Sequence, residues 1–141
     1  MKKWFGLLTV VAVFSVQIGL AQSTNYSSVE VASGGQVLLG NYGGIGRSCA
    51  VEPLPTIEMP NPPKHGVVSV RTGTVMTNKA AGCPNLPVPV QTVAYHARSG
   101  YVGPDQVVFG VKRPNGVVDI YSISVTVKEA PATQASPPST F

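Results

Sequence analysis

Residues Gln106 to Lys128 read QVVFGVKRPNGVVDIYSISVTVK, and the reading of this stretch decides the fold. In its second half Tyr121, Ile123, Val125 and Val127 alternate with Ser122, Ser124, Thr126 and Lys128, a two-residue period that places the first set inward and the second in water. Val107, Phe109 and Val111 form the matching inward set of the first half. Inward residues must oppose inward residues, which sets Phe109 across from Tyr121 and Val107 across from Ile123. That register leaves Pro114-Asn115-Gly116 as a three-residue loop closed by Arg113 and Val117. Proline suits the second position of a type I turn, asparagine the third, and glycine the left-handed residue of the G1 bulge that follows. A two-residue Asn-Gly turn would instead set Phe109 against Ser122 and break the segregation of faces.

Upstream, the same period is interrupted often. The 141-residue chain has 15 Gly and 13 Pro with only 11% charged residues, a composition suited to short strands and many turns. Val29-Glu30-Val31 and Gln36 to Leu39 read as the first strands, with Gln22 to Ser28 as a polar, frayed lead-in. Asn41 to Ser48 reads as a glycine-rich loop into Cys49. Five prolines between Pro53 and Pro63 exclude a central strand and leave Thr56 to Met59 as a brief edge strand. Val67 to Arg71 and Thr74 to Met76 read as a hairpin turning at Thr72-Gly73. Pro84 to Pro89 reads as a connection, and Val90 to Tyr95 as a strand. No helical period of useful length occurs beyond the N-terminal segment, so the class is all-β, with an antiparallel sandwich as the expected architecture.

Met1 to Ala21 reads as an export signal: Lys2 and Lys3 are followed by the apolar run Trp4 to Val16 and by small residues at Gly19 and Ala21. The apolar run is short of the roughly 20 residues that span a bilayer, so the expectation is cleavage before Gln22 and no membrane span afterwards, with an uncleaved anchor as the alternative. Residues 22–128 then form one domain, and 129–141, rich in Ala, Pro, Ser and Thr, a disordered tail. The destination is the periplasm or the cell exterior. In that compartment Cys49 and Cys83, the only cysteines, are expected to form a disulfide. A metal or redox site is the rival reading, but C-x-x-C spacing is lacking. The net charge is +4, of which Lys2 and Lys3 supply two, and the remaining basic residues are scattered. A nucleic-acid partner would call for a concentrated basic stripe, so none is expected.

Tyr95 to Val111 resembles the closing half of the bacterial immunoglobulin-like, cadherin-like repeats of exported proteins, through Tyr95, Gly100, Tyr101, Gly103, Asp105 and Val111. Pro63-Lys64-His65-Gly66-Val67-Val68 is similar to the Pro-x-x-Gly-x-Val entry of those repeats. Val107 and Phe109 replace a Phe and a Tyr of the pattern, and Ala97 stands in place of a Pro. The resemblance covers Pro62 to Lys128 and implies an immunoglobulin-like sandwich serving as an adhesive or spacer module, although only one copy is present. On physical grounds Asp105 accepts backbone N–H groups in an Asx-type turn, and Tyr101 covers the end of the core.

No catalytic motif is visible. His65 and His96 lie apart, the acids are dispersed, and G-x-S-x-G, H-E-x-x-H and phosphate-binding loops are missing, so neither catalytic residues nor a cofactor are expected. Calcium would need six or more oxygen ligands, and copper or zinc would have to draw on His65, His96, Met59 or Met76, which show no ligand spacing. No metal ligand is therefore assigned. Tyr42, in the glycine loop, is the tyrosine expected to be most exposed. Tyr95 and Tyr101 are read either as a core lid or, with His96 and Arg98, as a binding patch. The functional expectation is a monomeric, non-enzymatic binding or adhesion module that takes an envelope protein or surface glycan through loops or an exposed strand edge. The alternatives are a subunit of a surface fibre or layer and a small periplasmic metal-handling protein.

Overall fold

A computed structural model of the chain describes Gly19 and residues 22–77 and 82–131. The export-signal reading, Gly19 apart, and the tail reading beyond residue 131 lie outside the described residues. Among the described residues seven strands follow one another: β1 (Ser23–Ala32), β2 (Gln36–Tyr42), β3 (Thr56–Glu58), β4 (Gly66–Met76), β5 (Pro87–Ala97), β6 (Gly103–Lys112) and β7 (Val118–Lys128). They build a sandwich of a four-stranded sheet, β1-β7-β6-β3, on a three-stranded sheet, β2-β5-β4. A 3-10 turn, Arg47–Cys49, lies between β2 and β3.

The β6–β7 hairpin has the register that the alternation demands, with Phe109 opposite Tyr121 and Val107 opposite Ile123. Its turn is closed by Arg113 N–H donating to Val117 O at 2.8 Å and Gly116 N–H to Arg113 O at 2.9 Å. Gly116 sits at φ +84°, a conformation that costs a side-chain-bearing residue heavily. Val107, Phe109, Ile123, Val125 and Val127 are buried and face Val93, Tyr95 and Ala97 of β5 across the core. Phe109 and Tyr121 stack with ring centroids 5.5 Å apart. Cys49 and Cys83 form the disulfide, with Cα atoms 5.7 Å apart, joining the β2–β3 and β4–β5 connections at one end of the sandwich.

Four sequence expectations are corrected. Ser23 to Ser28 is not frayed but belongs to β1, which pairs in parallel with β7, the one parallel pair of the sandwich. Ser23 Oγ donates to Asp119 Oδ1 at 2.7 Å and anchors its start. The strand showed no apolar period because it is exposed on both faces over most of that length. Second, β2 runs on to Tyr42, through a register shift between Leu38 and Gly40. Third, Thr72-Gly73 is no turn: β4 pairs continuously with β5 from Gly66↔Ala97 to Met76↔Pro87, and long-range pairing overrides the local glycine signal.

Fourth, Pro87 and Pro89 lie inside β5 rather than in a connection. Thr77 N–H donates to Leu86 O at 2.9 Å, so the backbone of Leu86 faces β4. Strand backbones alternate, so Pro87 and Pro89 turn their missing N–H groups the other way, where β2 has already ended at Tyr42↔Gln91. No ladder bond is lost.

The hairpin register yields a stability contrast. Phe109→Ala empties a fully buried position and is expected to cost about 3–5 kcal/mol. Val108→Ala, one residue earlier and facing out, is expected to stay within about 0.5 kcal/mol of the parent. Urea unfolding of the two variants checks this; equal losses would contradict the assignment of faces.

Candidate functional site

At the end of the sandwich away from the disulfide, one carboxylate gathers three parts of the chain. Asp105 lies near the start of β6. Its Oδ1 accepts from Lys64 N–H at 3.2 Å and Gln106 N–H at 2.9 Å, and its Oδ2 from His65 N–H at 3.0 Å and from the Tyr95 hydroxyl at 2.7 Å. The expected role as an acceptor of backbone N–H groups is met, but the distant donors come from the loop leading into β4, so the group is a cross-sheet clamp more than a local Asx turn. Partial burial alone would raise the Asp105 carboxyl pKa. The hydrogen bonds from Tyr95, Gln106, His65 and Lys64 outweigh it, and the pKa lies below the ordinary 3.8. Burial, then the bond to Asp105, raises the Tyr95 hydroxyl far above the usual phenol range.

Five residues were candidates for binding. Tyr95 is fully buried, its ring runs beneath Gly66, and its hydroxyl is committed to Asp105, which matches the core-lid alternative of its two readings. A Cβ at Gly66 would come within 2.5 Å of the Tyr95 ring and 2.4 Å of His96 O, so only glycine fits there. His96 is exposed on the opposite face of β5, because neighbouring strand residues point to opposite sides. Tyr101 is half-buried: its hydroxyl donates to Pro104 O and its ring stacks on His65 at 3.8 Å and 3°. Arg98 is exposed in the β5–β6 link, and its N–H donates to His65 O at 2.9 Å. The four therefore share one end without forming a common surface. An open groove of about 550 Å³ lies beside them, bordered by Pro62, Lys64, His65, Asp105 and Val108.

Tyr42 stands at the other end. It is half-buried rather than exposed, because β2 carries it inward against Phe109 at 5.6 Å and Tyr121 at 4.8 Å, edge to face. Burial and the neighbouring Tyr121 push its hydroxyl pKa up to about 12. With Tyr121, Asn41, Glu52 and Arg113 it lines a cleft of about 210 Å³. Arg113 is fixed by Asp119, with Nε 2.8 Å from Oδ2. Asp119 has its carboxyl pKa lowered, first by Ser23 and then, against burial, by Arg113. Among the described residues no group of three or more His, Cys, Asp and Glu is placed to hold a metal ion. No described helix is long and apolar enough to cross a membrane.

Sequence reading allowed an exposed strand edge but gave it no location, and the structure supplies the outer edge of β4. Arg98 N–H donates to His65 O at one end of the strand, and Thr77 both donates to Leu86 O and accepts from Asn85 N–H at the other. The register between them has no shift, so every odd-numbered residue of β4 turns its backbone to β5. Gly66, Val68, Val70, Thr72, Thr74 and Met76 turn theirs outward, where no described residue pairs with them. The other edges are guarded. β3 is three residues long between Pro55 and Pro60, β2 has its register shift, and β1 carries Glu30 and a polar first half. β4 has eleven residues, neither proline nor bulge, and one charge, Arg71. No family model matches the chain, and no curated protein matches it.

The clamp has a pH signature. Because the Asp105 pKa is lower folded than unfolded, its contribution to stability is complete above the unfolded value near 3.8 and is lost as pH falls through the lower folded value. Asp105→Asn turns one acceptor into a donor facing donors and is expected to cost about 1–3 kcal/mol at neutral pH. Its thermal midpoint should also fall less steeply than that of the parent as pH drops below 3.8. Parallel pH dependence of the two chains would show that Asp105 is not clamped.

Proposed function

We propose that this chain is an exported, non-enzymatic binding module of immunoglobulin-like type that takes an extended polypeptide segment of its partner along the free edge of β4. The observation that carries the reading is the row of six outward-facing backbone positions from Gly66 to Met76, on a strand with neither proline nor bulge and a single charge, Arg71. Strand addition uses such a row: main-chain hydrogen bonds supply affinity and the alternating side chains supply selectivity. The N-terminal export signal, the disulfide and the likeness of Tyr95 to Val111 to cadherin-like repeats support the compartment and the module type. The polar groups that could have suggested chemistry have structural work, since Asp105 holds four donors and Asp119 holds Ser23 and Arg113. A polypeptide is favoured over a glycan because the open feature is backbone rather than an unobstructed aromatic platform: Tyr101 is covered by His65, and Tyr42 is packed on Phe109.

The purified exported chain, immobilised and exposed to the native envelope fraction, tests this with Thr72→Pro. Proline there removes one outward N–H and leaves the β5 ladder whole, as Pro87 and Pro89 already do within β5. The expected result is a set of proteins retained by the parent and by Ser124→Lys, which alters the exposed face of β7, and lost from Thr72→Pro. Retention of the same set by a folded Thr72→Pro chain would refute the edge as the binding surface.

A further inference from the structure

We infer that the occupant of the β4 edge is the β4 of a second copy, laid antiparallel about a two-fold axis at Val70, so that two three-stranded sheets become one of six strands. This rests on the reading of β4 as a strand-accepting edge and names its partner; it replaces the monomer expected from sequence.

Four observations carry it. Four of the nine large apolar side chains exposed among the described residues lie on this one strand, Val67 at 68%, Val70 at 44%, Val75 at 37% and Met76 at 60% exposure. Val67 and Val75 lie on one face of β4 and Val70 and Met76 on the other, so both sides of the free edge carry apolar surface that an added strand rich in β-branched residues would cover, and β4 is itself such a strand. The hydrogen-bond parity is self-matching: the outward row is even-numbered, so an antiparallel copy centred on Val70 sets Val68 against Thr72 and Gly66 against Thr74, each an outward position meeting an outward position.

Charge then selects among registers. Centring on Arg71 would set two guanidinium groups directly opposite each other, which is repulsive, whereas centring on Val70 sets Arg71 against Ser69. Finally, Val70 occupies the inner face by alternation with the buried row, yet it stays half open where the facing sheet ends in the three-residue β3. In the Val70-centred register each Val70 is covered by its own copy. Centring on Thr72 would instead place two hydroxyls on the axis and leave Val70 against Thr74. A two-fold contact uses the same patch on both subunits and closes at two, so the edge gives a dimer and not the open fibre considered from sequence.

Sedimentation velocity on the exported chain over a concentration series tests this, with Thr72→Pro and Val70→Lys checked for native circular dichroism. The expected result is a monomer–dimer equilibrium in the parent and loss of the dimer in both variants. Polymers larger than a dimer, a dimer unchanged by both folded variants, or a parent that stays monomeric at the highest attainable concentration would each overturn the inference. The two readings fail separately. A monomeric parent whose envelope partners are still lost on Thr72→Pro keeps the strand-accepting edge and removes the self-pairing, whereas a monomeric parent with unchanged partners removes both.

Discussion

The carboxylate of Asp105 is the interaction on which the arrangement of strands depends. It belongs to β6 of the larger sheet, receives the buried hydroxyl of Tyr95 from the smaller sheet, and holds the backbone of Lys64 and His65 as the chain turns into β4. Sheet separation, the position of the central strand β5 and the starting point of β4 are thus tied at one group. A half-buried carboxylate is costly unless its lone pairs are satisfied, and here four donors satisfy them. Gly66 follows because the Tyr95 ring lies where its side chain would be.

From that fixed start the two-residue alternation of the backbone does the rest. Along β5 it turns Tyr95 inward and His96 outward, and it lets Pro87 and Pro89 sit in a paired strand without breaking the ladder. Along β4 it aims one backbone row at β5 and the other at open space. The disulfide closes the far end, where Tyr42 and Tyr121 meet, and leaves the β4 edge untouched. What distinguishes β4 from β1, β2 and β3 is a long edge with neither proline nor bulge and Arg71 as its one charge, and natural sheets rarely leave so long an edge in that state without a use for it.

Much of the fold was legible in the sequence, for local reasons. The Phe109↔Tyr121 register follows from alternation together with a turn whose Pro, Asn and Gly each have a conformational task. The cysteine pair followed from the export reading of Met1 to Ala21 and from the count of two. β1 was invisible as a full strand because its polar half has two wet faces and so no period. Gly73 suggested a turn because a glycine signal is local, while the pairing that overrides it comes from β5, well downstream. Of the two readings of Tyr95 the core lid is the one its burial supports, and the sequence held the reason: Tyr95 and His96 are neighbours in a strand and take opposite faces. The clamp and the location of the free edge were not legible. Both depend on which strands become neighbours, and Lys64 and Asp105 are 41 residues apart.

Amide hydrogen exchange along β4, followed residue by residue at a dilution where the chain sediments as a monomer, tests the central claim most directly. The account expects alternation: protected amides at Val67, Ser69, Arg71, Gly73 and Val75, and fast exchange at Val68, Val70, Thr72, Thr74 and Met76. Uniform protection along the strand, or protection of the even-numbered row in the monomer, would contradict it, because the edge would then be already paired or the strand turned over.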